Sequence, residues 1–364
     1  MAYRPWTRLN GRNIFIAVIL LFVVYLAFWK RHVVFGTFDK NNNAYFRSSL
    51  WSSNRHVELA DHVKWSDFAY CTYATEAGHL CNSLMLLESL HRLGAQADRL
   101  LTYSHDWDVT ATDSVEASLL RKARDLYGVR LQPVEIIRAQ VVSDATWAAG
   151  FTKWLAFNQT EYKRVVALDS DGTILRSMDE LFLMPPTPVA LPRAYWLEDA
   201  LSAQVAVVQP STEAFAAIQR EIEDRGTGDF DMEIINGLYG HSCGILPHRP
   251  YNLLTGEFRS ENHSVYLGGT DEEWDAERIM EETAYLHFSD WPLPKPWEPH
   301  AAKMMADLMP KCKSGERDCA DRRVWLWLYD DFRSRRKSVC GVEFADWEAV
   351  EARMKEASKL AIDA

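Results

Sequence analysis

Residues 164–182 read RVVALDSDGTILRSMDELF, a short apolar run that passes straight into two carboxylates, Asp169 and Asp171. The run from Arg164 to Leu168 reads as a buried strand. In open α/β sheets, ligands bind beyond the carboxyl ends of the strands, which is where these two acids emerge. On a continuing strand residues i and i+2 share a face, so both carboxylates can address one cation. Hard carboxylate oxygens suit Mg²⁺ or Mn²⁺, and either ion can also bridge a diphosphate. An isolated Asp-x-Asp is most often a pair of solvated turn residues. After four or five apolar strand residues it is a poor choice for structure alone, and the metal reading prevails.

Working outward, strand and helix patterns alternate. Residues 68–74 form a strand, and residues 79–93 place Leu80, Leu84, Leu87 and Leu90 at helical spacing before Gly94. Residues 99–103 are a second strand, 114–127 a helix ended by Gly128, 129–137 a third strand, and 147–157 a helix that precedes the Asp-x-Asp strand. Residues 205–208 form a strand and 212–224 a helix with Ser211 at its N-cap. This rhythm predicts an α/β fold with a parallel sheet covered by helices. The turn after the first strand reads Thr75-Glu-Ala-Gly-His79, and neither G-x-G-x-x-G nor G-x-x-x-x-G-K-[ST] occurs, so nicotinamide enzymes and P-loop NTPases are set aside.

The 364 residues are 48% hydrophobic, enough for a sizeable core and unlike a disordered chain. Residues 1–32 hold five basic side chains and no acid; the remainder sets 35 basic against 51 acidic side chains, a balance of −16. So acidic a body repels phosphate backbones, which argues against nucleic-acid partners. Residues 14–29 (IFIAVILLFVVYLAFW) are uncharged and bracketed by Arg4, Arg8 and Arg12 before and Lys30-Arg31 after. As a helix they would span roughly 24 Å, close to a thin bilayer core. No small-residue cleavage site follows, so an anchor is favoured over a cleaved signal or a core helix. The cation density leaves the short tail cytoplasmic and the body lumenal, a type II membrane protein. Residues 1–13 are then the tail, 14–29 a signal-anchor and 30–65 a stem.

All six cysteines follow the anchor, an even number suited to an oxidising compartment. Cys312 and Cys319 could close a short loop, but six cysteines allow 15 pairings. Asn158 and Asn262 begin N-glycosylation sequons. The run Arg333-Ser-Arg-Arg-Lys337 reads as solvated, Trp325 and Trp327 as ordinary packing, and residues 346–360 as an amphipathic helix.

Four separated motifs then occur in order across roughly residues 66–300. They are CTYATEAGHLCNSLMLLESL (71–90), FTKWLAF (151–157), the Asp-x-Asp with its following DELF, and HFSD (287–290) before Lys295-Pro-Trp297. Together they resemble the glycogenin-like family 8 glycosyltransferases, and within them the fungal Golgi glucose N-acetyltransferases. The resemblance implies a GT-A, Rossmann-like nucleotide-diphospho-sugar transferase domain over residues 66–300, with residues 301–364 as a C-terminal helical extension. It implies that Tyr73, Thr75 and His79 border the nucleoside, that Ser170 lies close to the ribose, and that Lys153 faces the donor phosphates or sugar. Asp169, Asp171 and His287 would hold Mn²⁺ or Mg²⁺, and Lys295 would neutralise the leaving diphosphate. A ligating imidazole must be neutral, so metal affinity is expected to fall as pH drops through about 6.5.

The chain departs from the family at Ser202-Ala-Gln204, where N-S-G is usual, and at Asp231-Met-Glu-Ile-Ile-Asn236, where D-Q-G-L-L-N is usual. Two extra residues separate His287 from Lys295. Asp231 is the candidate catalytic carboxylate, against the alternative of a helix N-cap. Trp291 and Trp297 are candidates for stacking on sugars. The expected activity is metal-dependent, retaining transfer of GlcNAc from a UDP-sugar donor to a mannose-containing glycan acceptor in the Golgi membrane. The alternatives are a family 8 glucosyl- or galactosyltransferase, or an inactive lumenal domain that binds glycans or scaffolds other transferases.

Overall fold

A computed structural model describes residues 62–138, 149–224, 230–300, 302–312 and 318–341, all within one compact unit, Leu59–Ala364. The tail, the anchor, most of the stem and the amphipathic 346–360 segment lie outside the described residues. Among the described residues no helix is long and apolar enough to cross a membrane.

The first half of the chain builds parallel strands. β1 (Phe68–Ala74) leads to α1 (Ala77–Arg92), β2 (Asp98–Ser104), α2 (Val115–Tyr127), β3 (Val129–Val134) and β4 (Arg164–Leu168). β2 and β3 add successively on one side of β1, and β4 adds on the other, all parallel. The direction in which strands are added therefore reverses between β1 and β4. That crevice is where an open α/β sheet takes its ligand.

The helices follow from local sequence. Leu80, Leu84, Leu87 and Leu90 of α1 are fully buried as their spacing predicts, each stabilising the fold by about 1.5–3 kcal/mol. Ser114 caps α2 by accepting the Ala117 N–H at 3.1 Å, and Gly128, at φ 61°, closes it in the left-handed conformation that glycine tolerates.

Three expectations are corrected. Residues 150–158 form a 3-10 segment, with Phe151–Phe157 all buried, a tighter winding than the helix expected over 147–157. β3 ends at Val134 and not at residue 137, because its partner β2 ends at Ser104, the last register pair. The sheet is also mixed: after β5 (Gly172–Ile174) and β6 (Val189–Pro192), β7 (Val205–Val208) pairs antiparallel to β4.

Beyond β7 lie α3 (Thr212–Asp224), α4 (Asp231–Tyr239), β8 (Gly244–Leu246), β9 (Leu253–Leu254), α5 (Ala276–Glu282), β10 (Tyr285–His287) and α6 (Ala320–Arg335). Ser211 caps α3 through the Ala214 N–H at 3.0 Å, as expected. The main sheet runs β3-β2-β1-β4-β7-β6-β8, and β5-β10-β9 form a second, three-stranded sheet.

The C-terminal helix belongs to the same core. Trp325, Leu328, Tyr329 and Phe332 of α6 join the cluster that α1 fills, and Cys81–Cys340 covalently ties the end of this region to α1. Cys312–Cys319 also pair, whereas Cys71 and Cys243 are free. The basic run is not solvated: Arg335 pairs with Glu88 at 2.8 Å and donates to the Met85 carbonyl at 2.7 Å. Arg336 is 3% exposed and donates to the Asn82 side chain. Nor is Trp327 a packing residue, at 49% exposure. Both sequon asparagines, Asn158 and Asn262, are exposed.

Candidate active site

Beyond the ends of β1 and β4, the Asp-x-Asp segment leaves the main sheet and enters the second one. The Asp169 N–H still donates to the Gln204 carbonyl at 3.0 Å, prolonging the β4–β7 ladder by one residue. Three residues later Gly172 opens β5, opposite His287 of β10. The chain thus turns between two sheets at the Asp-x-Asp, which aims its carboxylates into the corner between them.

That turn needs a glycine. A Cβ on Gly172 would lie 2.5 Å from Cζ and Oη of Tyr285, far inside van der Waals contact. The buried Tyr285 ring occupies the space instead, and its hydroxyl donates to the Asp169 carbonyl at 2.9 Å. Sequence reasoning missed this residue. The signal was present in Tyr285-Leu-His287, since residues two apart on a strand share a face.

Two charge groups result. In the first, Lys153 is 3% exposed and donates to Asp169 Oδ1 and to the Ala203 carbonyl, both at 2.9 Å; it also pairs with Asp231. Burial alone would lower its pKa, but the two carboxylates reverse that and hold it above the usual lysine range. Asp231 is the first residue of α4, and its side chain goes to Lys153 instead of capping. Glu233 reaches back to the Phe230 N–H at 3.0 Å. Burial, opposed by Lys153 and reinforced by Asp231 and Asp171, pushes the Asp169 carboxyl upward.

In the second group, Lys295 lies 2.9 Å from Asp171 Oδ2 and donates to the Phe288 carbonyl at 2.6 Å. His287 Nε2 is 4.0 Å from the same carboxylate oxygen. Against the effect of burial, Lys295, His287 and His79 hold Asp171 down at about 2. Burial first, then Lys295, pushes His287 well below the usual histidine range. The neutral imidazole is thereby favoured, and proton competition for this nitrogen moves below the expected 6.5.

Tyr73, near the end of β1, feels the same centre: burial, then Asp169, Asp231 and Asp171, raise its phenol. His79 sits in the first turn of α1, edge-on to Trp297 with ring centroids 5.9 Å apart. Thr75 lies in the turn between β1 and α1, and Ser170 is buried between the two aspartates. Neither hydroxyl makes a hydrogen bond among the described residues. Trp297 is packed against Phe332, whereas Trp291 is 90% exposed. A further residue deserves a place here: Gln204, opposite Asp169 across the ladder, is 7% exposed with its side-chain oxygen unpartnered.

Do these residues fit a divalent cation? Asp171 and His287 do, since two ligands of one octahedral ion, each about 2.1–2.2 Å from it, stand about 3–4.4 Å apart. Among the described residues the buried Nδ1 of His287 has no partner, and imidazole with carboxylate is a suitable donor set. Asp169 is engaged by Lys153, and among the described residues no three His, Cys, Asp or Glu side chains are gathered closely enough to hold a metal as they stand.

No family model matches the chain. It is 48% identical over 287 residues to a protein named glucose N-acetyltransferase 1 from Gibberella zeae, covering 76% of this chain and 63% of that one. A protein of the same name from Aspergillus fumigatus is 45% identical over 307 residues, covering 78% of this chain and 79% of that one. Among solved structures, the apo bifunctional glycosyltransferase WbbM superposes with a TM-score of 0.52 at 12% identity, covering 76% of this chain and 50% of that one. The structural likeness bears on the fold, a mixed α/β arrangement shared with glycosyltransferases. By sequence, the chain belongs to the glucose N-acetyltransferase 1 family of glycosyltransferases.

Proposed function

We propose that this chain transfers N-acetylglucosamine from UDP-GlcNAc to a hydroxyl of a mannose-containing glycan, with retention at the anomeric carbon. The observation that carries the reading is the meeting of Asp169, Asp171, Asp231, Lys153, Lys295 and His287 beyond the reversal of strand order. The names of the relatives support the sugar, and the glycosyltransferase fold supports the reaction class.

Asp169, Asp171 and His287 would hold Mn²⁺ or Mg²⁺. When bound, the cation offsets charge on the departing diphosphate. Lys295, a point charge on a flexible stem, turns from Asp171 toward the phosphate oxygens. Tyr73, Thr75, His79 and Ser170 border the nucleoside. Asp231 presents a carboxylate to the positive charge that develops on the sugar, with Lys153 holding it in place. A carboxylate so tightly paired is a poor nucleophile, which favours attack by the acceptor hydroxyl from the face the diphosphate leaves over a covalent intermediate. Residues 14–29 anchor the chain in the Golgi membrane with the catalytic unit in the lumen; their apolar run between basic flanks supports this.

The test is UDP release by the purified protein from UDP-GlcNAc, UDP-glucose and UDP-galactose, each with Mn²⁺, Mg²⁺ or chelator. The expected result is fastest release from UDP-GlcNAc with Mn²⁺. Preference for another donor overturns the sugar assignment, and full activity with chelator overturns the cation.

A further inference from the structure

A cleft of about 410 Å³ opens between α1, β5 and α6. Trp327, Asp331 and Arg335 line one wall. They are spaced four residues apart on α6 and so share a single face. Glu88 and Arg92, also four apart, line the facing wall on α1, and Thr173 of β5 closes the floor.

The chemistry of this lining is specific. Two acids face two guanidiniums, so the cleft has no net charge to attract an anion or a cation. Arg335 is fully used: it donates to Glu88 at 2.8 Å, Ser89 at 2.5 Å and Thr173 at 3.2 Å, fixing both walls to the floor. Asp331 is different. It is half-buried and accepts no hydrogen bond among the described residues, with Arg335 and Arg92 acting on it only through their charge. Beside it stands the Trp327 indole, 49% exposed with its apolar face unused. A rigid, electroneutral cleft with an open carboxylate and an open aromatic face matches a neutral polyhydroxyl ligand, whose hydroxyls donate to the acid while its C–H face lies on the ring.

We propose that the cleft between α1 and α6 is a second carbohydrate-binding site, separate from the charge cluster at Asp169 and Asp171, that holds a neutral sugar of an oligosaccharide between Trp327 and Asp331. It does not depend on which sugar is transferred, or on transfer at all. A volume near 410 Å³ falls at the small end of ligand pockets, about 300–1,000 Å³, the size of one or two sugar residues.

The test uses the full chain without nucleotide. Hydroxyl-radical footprinting read by mass spectrometry follows oxidation of individual tryptophans in the presence of mannotriose, chitotriose or maltotriose, and calorimetry gives the affinity. The expected result is that at least one trisaccharide protects Trp327 several-fold and leaves Trp291 unchanged. Trp327→Ala and Asp331→Asn should each weaken that trisaccharide's binding about tenfold or more, a loss of about 1.4 kcal/mol, with UDP affinity unaltered. Asp171→Asn should bind the trisaccharide as the unaltered protein does. Three results would overturn the proposal: no trisaccharide protecting Trp327, Trp327 already unreactive without sugar, or binding that Asp171→Asn abolishes and Trp327→Ala does not.

Discussion

Replacing Gly172 with alanine tests how the corner between the two sheets is built. The new methyl would fall 2.5 Å from two atoms of the Tyr285 ring and 2.6 Å from a third, where carbon contacts normally lie about 3.5–4.0 Å apart. One side must move by about 1 Å. Tyr285 is fully buried and held by its bond to the Asp169 carbonyl, and three register pairs fix β5 to β10. Overpacking of this kind costs about 1–3 kcal/mol, and loss of the phenol's hydrogen bond adds about 1 kcal/mol. The expected destabilisation is about 2–4 kcal/mol, or a fall in Tm of roughly 3–6 °C for a unit of this size.

Thermal unfolding of Gly172→Ala, Tyr285→Leu and the double variant supplies the decisive comparison. If the clash is with the ring, the alanine should cost less than about 0.5 kcal/mol once the ring is gone, so the two substitutions should be coupled by about 2 kcal/mol. An equal cost of Gly172→Ala in both backgrounds would refute the account.

Asp171→Asn should leave Tm near that of the unaltered protein while removing Mn²⁺-dependent UDP binding; undiminished affinity by calorimetry takes Asp171 out of the site. His287 predicts an acid sensitivity. Its folded pKa is depressed below the roughly 6.5 of an unfolded histidine, so the unfolded chain takes up the proton first, and stability present above about 6.5 is lost as pH falls below it. Asp171, held at about 2, gives a similar loss only below its unfolded value near 4. His287→Gln should therefore flatten the fall in Tm between about pH 6.5 and 5, and parallel curves would sink the assignment. Cys340→Ser opens a link between residues 259 apart, expected to cost about 4 kcal/mol; an unchanged Tm would mean the pair contributes nothing.

The parts of this architecture that were legible in the sequence are those set by local pattern. The leucine stripe of α1, the Ser114 and Ser211 caps, and the strand that delivers Asp169 each depend on neighbours within a few residues. Asp171, His287 and Lys295 were also identifiable as one group, through separated motifs. What could not be read depends on contacts between distant segments. Arg335 and Arg336 look like any charged surface run until α6 is laid against α1, where Glu88 and Asn82 wait. The Cys312–Cys319 loop is suggested by its short spacing, but the Cys81–Cys340 pair has no local signal. The 150–158 segment is buried on every side, which erases the period that separates an α-helix from a tighter one. Tyr285 reads as a core aromatic because its meaning lies in the missing side chain of Gly172.

The two lysines show how one residue type takes two roles by position. By formal charge, Asp169, Asp171 and Asp231 against Lys153 and Lys295 leave the cluster one negative charge. Such a cluster repels a diphosphate, and a divalent cation would reverse its sign. Lys153 cannot make that adjustment: its ammonium is 1% exposed in its side chain and already shared among two carboxylates and a carbonyl. Lys295 can, because its side chain is 20% exposed and one of its partners is the carboxylate that a cation would claim. In the proposed reaction, an Asp171 engaged by a cation would leave the Lys295 ammonium beside the charge that develops on the diphosphate. The buried lysine fixes the geometry of Asp169 and Asp231, and the accessible one would, in the proposed reaction, exchange Asp171 for the leaving group.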